Sequence, residues 1–328
     1  MEKLAITTRG SIEDMYTFGS VSVVGEKNKI IYEKGDSSEI SFPRSSAKLM
    51  QALTPLALGA KEEFNLTEKE IAVICASHSG EDFHIETIRN ILKKAGLDES
   101  YLKCGPHYPF KEDIAGKMKK EGIKPKDIHN NCSGKHTGML LACKIMGWDM
   151  EDYYKIDHPV QRKITENIER VCECKIPLEH ISVDGCGVPV HAMTMREFAH
   201  GMQKMSDFEK LEGFEEASKD IYNAITKHSK YTSGSDRIDH YLISRYPGKI
   251  IVKSGANGYF GGYLPDKKYG FCIKTYDGIS SVRNLILIEL MKKFEVIPQE
   301  DYDYFENLFT SKIKNHRDEV VGEVKVLL

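Results

Sequence analysis

The chain has 328 residues, with 46 basic and 49 acidic side chains giving a formal net charge of −3; 41% of residues are hydrophobic and 29% charged. That length fits one large domain or two fused subdomains, and a charge so near balance lacks the basic excess that phosphate neutralisation draws on, so nucleic acid is not an expected partner. No run reaches the roughly 18 apolar residues of a bilayer span, and the N-terminus, Met1-Glu2-Lys3-Leu4-Ala5, lacks a signal-peptide core; the expectation is a cytoplasmic protein without a membrane partner, its eight cysteines reduced.

In chain order, Ser20–Val24 and Lys29–Glu33 predict a hairpin about Gly25-Glu26-Lys27-Asn28. A helix is expected from Ser45 to about Leu58, with Leu49, Leu53, Leu56 and Leu58 among its apolar positions. Thr67 with Glu70 has the form of a capping box. Glu81–Ala95 reads as an amphipathic helix stopped by Gly96, and Lys111–Glu121 as another. Ser133–Met146 should end at Gly147, and Pro159 should open a helix to about Cys172 from the position where its missing N–H costs least. Two or three helices fill Thr194–Tyr246. Lys249–Lys253 and Gly270–Thr275 read as strands, Ser280–Phe294 as a helix and Glu319–Leu328 as an alternating strand. Strands gather at both ends and helices in the middle, which predicts α+β: an antiparallel sheet formed from both ends of the chain, with packed helices. The expectation is one catalytic unit over 1–328, with a helical subdomain somewhere within 60–245.

Ser45-Ser46-Ala47-Lys48 is an S-x-x-K at a predicted helix start, where positions i and i+3 share a face. A lysine buried beside another cation favours its neutral amine, which accepts a hydroxyl proton. The motif alone does not select this serine, because Ser100–Lys103 and Ser311–Lys314 also match it. Lys253-Ser254-Gly255, the chain's one K-[ST]-G, ends the apolar run Ile250–Val252. Serine β-lactamases and penicillin-binding proteins pair these two motifs in this order. Their third motif, S-D-N, is missing, so the scaffold is supported and β-lactamase activity is not.

Four polar, glycine-rich stretches lie between regular elements, where sites are usually built: Cys75–Glu81, Cys104–His107, His129–His136 and Asp184–Pro189. Cys132 and Lys135 share a face at a helix start, and Cys186 sits in a Gly-Cys-Gly turn. Two thiolates with nitrogen suit zinc, while two buried packing thiols are the commoner arrangement. A cysteine nucleophile, Cys132 or Cys186 with His136 or His78, competes with Ser45. The CxC of Cys172 and Cys174 has no second half and reads as packing.

Taken together, Arg44–Lys48, Cys75–Ser79, Cys104–His107, Asn131–Leu140, Asp157–Gln161 and Asp184–Cys186 resemble the Rhizobium-type L-asparaginases (asparaginase II) over most of residues 7–260, more loosely after Gly262. The resemblance implies a serine β-lactamase-like fold and hydrolysis of L-asparagine to L-aspartate and ammonia. It implies catalytic roles for Ser45 with Lys48 and for Ser77 with Lys253. It implies a substrate pocket with Arg44, Asn131, His136 and Asp184, and a zinc position at Cys132, Lys135 and Cys186 that holds the pocket rather than activating water. It further implies a homodimer and no organic cofactor. Family members often carry proline after the motif lysine; here it is Leu49, which removes no functional group. The alternatives are a glutaminase or other small amidase on the same scaffold, and a non-catalytic zinc- or amino-acid-binding relative.

Overall fold

The computed structural model describes residues 1–309 and 311–328. The chain divides into two compact units. One comprises Met1–Ser46, Met193–Ser206 and Val252–Leu328; the other comprises Ala47–Ala192 and Asp207–Ile251.

The first unit is built on an antiparallel sheet drawn from both chain ends. In spatial order its strands are Lys312–Lys314, Val320–Val326, Glu2–Arg9, Ile12–Gly25, Tyr269–Thr275, Tyr259–Leu264 and Ile251–Ser254, with Lys29–Lys34 also pairing to Ile12–Gly25. Ala5 faces Val326 and Val24 faces Gly270 across this sheet, so the α+β expectation holds. Leu4, Val21, Val23, Phe260, Phe271 and Ile273 are buried, and helices Met195–Ser206 and Ser280–Lys293 pack on the sheet. Gly270 admits the first helix: a Cβ there would lie 2.0 Å from the Ala199 carbonyl oxygen.

The second unit is mainly helical. Helix Lys48–Ala57 is buried from Lys48 to Leu56 and packs against helices Ser133–Met146, Pro159–Cys172 and Glu215–Thr232. Burial on every side explains why Leu49, Met50, Ala52, Leu53 and Leu56 follow one another with few polar breaks. The polar members are paired, as where Asn167 Nδ2 donates to Thr54 Oγ1 at 2.9 Å. Helix Glu68–Ile74 opens on the predicted capping box: the Thr67 hydroxyl accepts from Glu70 N, and the Glu70 carboxylate accepts from Thr67 N at 2.7 Å. A short hairpin, Ile181–Val183 with Pro189–His191, carries the Asp184–Val188 loop. No helix among the described residues is long and apolar enough to cross a membrane.

Candidate active site

The expected helix from Ser45 begins differently. Arg44–Ala47 is a 3-10 turn, and the α-helix starts at Lys48. Arg44 enters that turn at φ +52°, in the left-handed region that a non-glycine residue adopts only when its surroundings enforce it. Within the sheet unit the surroundings are clear. Ser46 N donates to Pro43 O at 3.0 Å, and Ser46 Oγ donates to the Lys253 carbonyl at 2.8 Å. A Cβ on Gly255 would stand 2.5 Å from Pro43 O and 2.9 Å from Ser46 Oγ. The turn bearing Ser45 is therefore seated on the strand end bearing Lys253, with Gly255 making the approach possible. Lys253 is fully buried and Ser45 half-buried. Arg283 secures the far side: its buried guanidinium donates to the carbonyls of Gly255 (2.9 Å) and Tyr259 (3.3 Å) and lies over the Phe260 ring.

In the helical unit Lys48 is 1% exposed. Its Nζ donates to the Ala76 carbonyl at 2.7 Å, the Ser77 hydroxyl at 2.8 Å and Cys132 Sγ at 3.1 Å. The expected partner was Ser45; the neighbours the helical unit supplies are Ser77 and Cys132. A lysine in the first turn of a buried helix stands against the helix dipole, which favours negative charge at that end. Such a local conflict marks function rather than stability.

Two glycines bring these partners together. A Cβ on Gly134 would lie 2.0 Å from Val73 O, and one on Gly138 2.7 Å from Ile74 Cγ2. Helix Ser133–Met146 therefore lies directly on helix Glu68–Ile74, setting Cys132 beside the Ser77 segment. His78 fastens the join: its N donates to Asn131 O at 3.1 Å, and its Nε2 donates to Ser133 Oγ at 2.8 Å while Nδ1 accepts from Gly80 N. Burial, with His84 and Lys48 nearby, holds His78 well below the usual imidazole range, so it is a neutral structural link.

The two candidate thiols form one coupled group. Lys135 Nζ donates to Cys186 Sγ at 3.2 Å, and Cys132 Sγ, which donates to Asn131 Oδ1 at 3.7 Å, interacts with the same sulfur. The Cys186 interaction and burial push Cys132 up to about 12, while Cys132 and the Lys135 charge hold Cys186 low. Burial works against the Lys135 charge, but the two sulfurs outweigh it and raise its pKa. Cys186 owes its position to a tight loop in which Gly187, at φ +86°, donates to Asp184 O. No three His, Cys, Asp or Glu side chains gather as metal ligands among the described residues. A metal set at this place is two sulfurs and the Lys135 amine, and that buried soft donor set fits zinc.

Against this geometry the comparisons are specific. The family model for L-asparaginase II matches residues 5–326. The chain belongs to the L-asparaginase II family. That membership is what the polar segments taken together predicted. A search among curated proteins found no match. Among solved structures, Mglu in its native form is similar at 11% identity and TM-score 0.47, covering 84% of this chain and 64% of that one. A candidate β-lactamase from Bacteroides dorei DSM 17855 is similar at 11% identity and TM-score 0.41, covering 78% of this chain and 84% of that one. The chain thus spans 64% of the length of the Mglu chain it matches.

The asparaginase II segments fall on the two units as follows. Arg44, Ser45 and Lys253 belong to the sheet unit; Lys48, Ser77, Asn131, Cys132, Lys135, His136, Asp184 and Cys186 belong to the helical one. His107 accepts from Asn131 N at 3.0 Å, and Asn130 Nδ2 donates to the carbonyls of Cys104 and Gly105, so the Cys104–His107 stretch supports the loop before Cys132. Burial, with Lys135 beside it, takes His136 down to about 3. Sequence reasoning missed Arg283, which sits in what reads as an ordinary helix, and the Lys48–Ser77 contact, which joins residues 29 apart. None of the eight cysteines forms a disulfide among the described residues, and Cys172 packs against Met50 Sδ.

Proposed function

We propose that the chain hydrolyses the side-chain amide of L-asparagine to L-aspartate and ammonia on a serine β-lactamase-like scaffold, with Ser45 as nucleophile and Lys48 as its base. The observation that carries this reading is the setting of Lys48. It is buried at the start of a helix, its amine is bonded to a carbonyl, a hydroxyl and a thiol, and it makes no ion pair with a carboxylate among the described residues. Ser45 precedes it by three residues, the S-x-x-K spacing on which the choice of nucleophile rests.

In the proposed sequence Lys48 takes the Ser45 proton as the oxygen attacks the amide carbon. The carbon–nitrogen bond breaks, the leaving nitrogen departs protonated as ammonia, and the acyl group remains on Ser45. Water then attacks the ester carbon, releasing aspartate and returning the proton to Ser45. Ser77, bonded to Lys48, relays protons, and Lys253 sets positive charge near the developing oxyanion. Asp184 takes the substrate's α-amino group and Arg44 its α-carboxylate, with Asn131 and His136 completing the pocket. Zinc would be held by Cys132, Lys135 and Cys186, and when bound it would fix the geometry of that wall rather than activate water.

Ammonia release from asparagine and from glutamine, with Ser45→Ala as control, tests the reading. We expect faster release from asparagine, because one methylene in a fitted pocket is worth about 1–3 kcal/mol. We expect its loss in Ser45→Ala with circular dichroism unchanged. Near-wild-type turnover in Ser45→Ala overturns the nucleophile; preference for glutamine overturns the substrate; tight asparagine binding with no ammonia points to a non-catalytic relative.

A further inference from the structure

Asp157–Gln161 is part of the family pattern, yet none of its residues has a role in the chemistry above. The structure shows what it holds. His158 caps helix Pro159–Cys172, its Nδ1 accepting from Val160 N, and Gln161, 1% exposed, donates from Nε2 to the Tyr153 carbonyl at 2.7 Å. Tyr153 is itself fully buried. Its hydroxyl accepts from Lys103 N at 3.0 Å and lies 2.7 Å from His136 Nδ1, with the two rings edge to face. Tyr153 is thus held at its carbonyl and at its hydroxyl, and the hydroxyl meets His136.

The hydrogen positions follow from counting donors and acceptors. A phenol has one hydrogen to give, and a neutral imidazole carries one N–H. If Tyr153 gives its hydrogen to Nδ1, every polar group in the chain from Lys103 to Nδ1 is satisfied, and the ring hydrogen sits on Nε2. If Nδ1 carries the hydrogen instead, the buried phenol hydrogen loses its acceptor and Nε2 becomes a bare acceptor. Nε2 has no hydrogen-bond partner among the described residues in either case. The first arrangement leaves one buried group unpaired and the second two, and each such group costs about 1–3 kcal/mol. The second arrangement therefore loses.

We propose that Tyr153 is a positioning residue that fixes His136 as the Nε2–H tautomer, so that the pocket presents a buried hydrogen-bond donor to an acceptor oxygen of the bound amino-acid amide. The substrate half of this statement rests on the asparaginase reading; the tautomer half does not. Nε2–H has no hydrogen-bond partner among the described residues, and an oxygen ligand would answer it. Nothing else in the Asp157–Gln161 segment needs the Tyr153 ring to be a phenol, so the hydroxyl is the part under test.

The test is nitrogen-15 NMR of histidine-labelled full chain, with the His136 signals assigned by their loss in His136→Asn. The wild type should show its proton on Nε2 and a bare Nδ1. Tyr153→Phe, which keeps the ring and removes one oxygen, should move both nitrogens toward values averaged over the two tautomers. It should raise the KM for asparagine about tenfold while kcat changes less than about threefold. A simple packing role would lower stability and leave the tautomer alone. A wild-type proton on Nδ1 overturns the proposal outright, and needs no variant to fold. So does Tyr153→Phe with an unshifted tautomer and unchanged KM. A wild type that keeps the Nε2–H tautomer but releases no ammonia sinks the asparaginase reading and leaves the positioning role standing.

Discussion

Lys48 and Lys135 invite comparison. Both are buried in the helical unit, 1% and 4% exposed, and both have a sulfur at about bonding distance. Their partners differ in charge. Lys135 faces Cys186, which its surroundings hold toward thiolate, and that pairing raises the lysine and favours its charged form until a metal displaces the proton. Lys48 donates to the Ala76 carbonyl, the Ser77 hydroxyl and Cys132, which the Cys186 interaction and burial push up to about 12. Equal burial thus yields two different settings: one lysine beside a sulfur held toward thiolate, the other beside a carbonyl, a hydroxyl and a thiol. What a buried lysine touches, and not burial alone, decides which of its forms is favoured.

The sharpest way to break this contrast is to remove each amine in turn. Lys48→Met keeps length and apolar bulk but deletes the proton acceptor, and kcat should fall by about a thousandfold or more with the fold retained. Lys135→Met should leave more of the chemistry and alter binding instead. If the two substitutions cost the same in kcat, the distinction drawn from their partners is wrong.

The thiol side gives the next largest effect. Cys186→Ala takes away the anion that fixes Lys135 and one of the proposed zinc ligands. Metal analysis should then find zinc in the purified wild type and none in the variant, and the affinity for asparagine should fall about 10- to 100-fold, with a smaller change in kcat. Wild-type protein purified without zinc, with Cys186→Ala fully active, would reduce the cluster to packing.

How much of this was legible beforehand depends on whether a feature is local. The Thr67–Glu70 cap, Pro159 at a helix start and Gly147 at a helix end are all fixed by neighbours within four residues, and they are found as read, whereas the helix expected from Ser45 opens as a 3-10 turn and becomes α-helical at Lys48. The strand through Glu13-Asp14-Met15-Tyr16 escaped notice because that stretch is exposed on both faces and carries no alternation. Tyr259–Leu264 was not read as a strand, and it carries two glycines, Gly261 and Gly262, which weaken a strand signal. In fact a Cβ on Gly261 would lie 2.4 Å from the Phe198 ring, so the glycine is there for close packing. Arg283 looks like a surface helix residue, and only the tertiary fold shows its guanidinium buried on the Gly255 and Tyr259 carbonyls. The pairings Lys48–Ser77 and Lys135–Cys186 span 29 and 51 residues, and no local pattern encodes them.

The smallest effect concerns the neutral wall behind Lys48. His78 and His84 stack with ring centroids 5.1 Å apart, and both must stay uncharged for that wall to remain neutral. Burial lowers His84 to about 4, although its hydrogen bond to Lys230 O pulls the other way. An unfolded histidine titrates near 6.5. Between those values the unfolded chain takes up a proton that folded His84 refuses, so its contribution to stability is complete above about pH 6.5 and is lost as pH falls toward 4. The slope from this one group is at most about 1.4 kcal/mol per pH unit. Denaturant titrations from pH 7 to 4.5 should show stability dropping across the window, and His84→Asn should flatten the curve by about one proton's share. An unchanged slope would mean that His84 accepts charge in the folded chain, and the contrast between the settings of Lys48 and Lys135 would then need the His78 side to be redrawn.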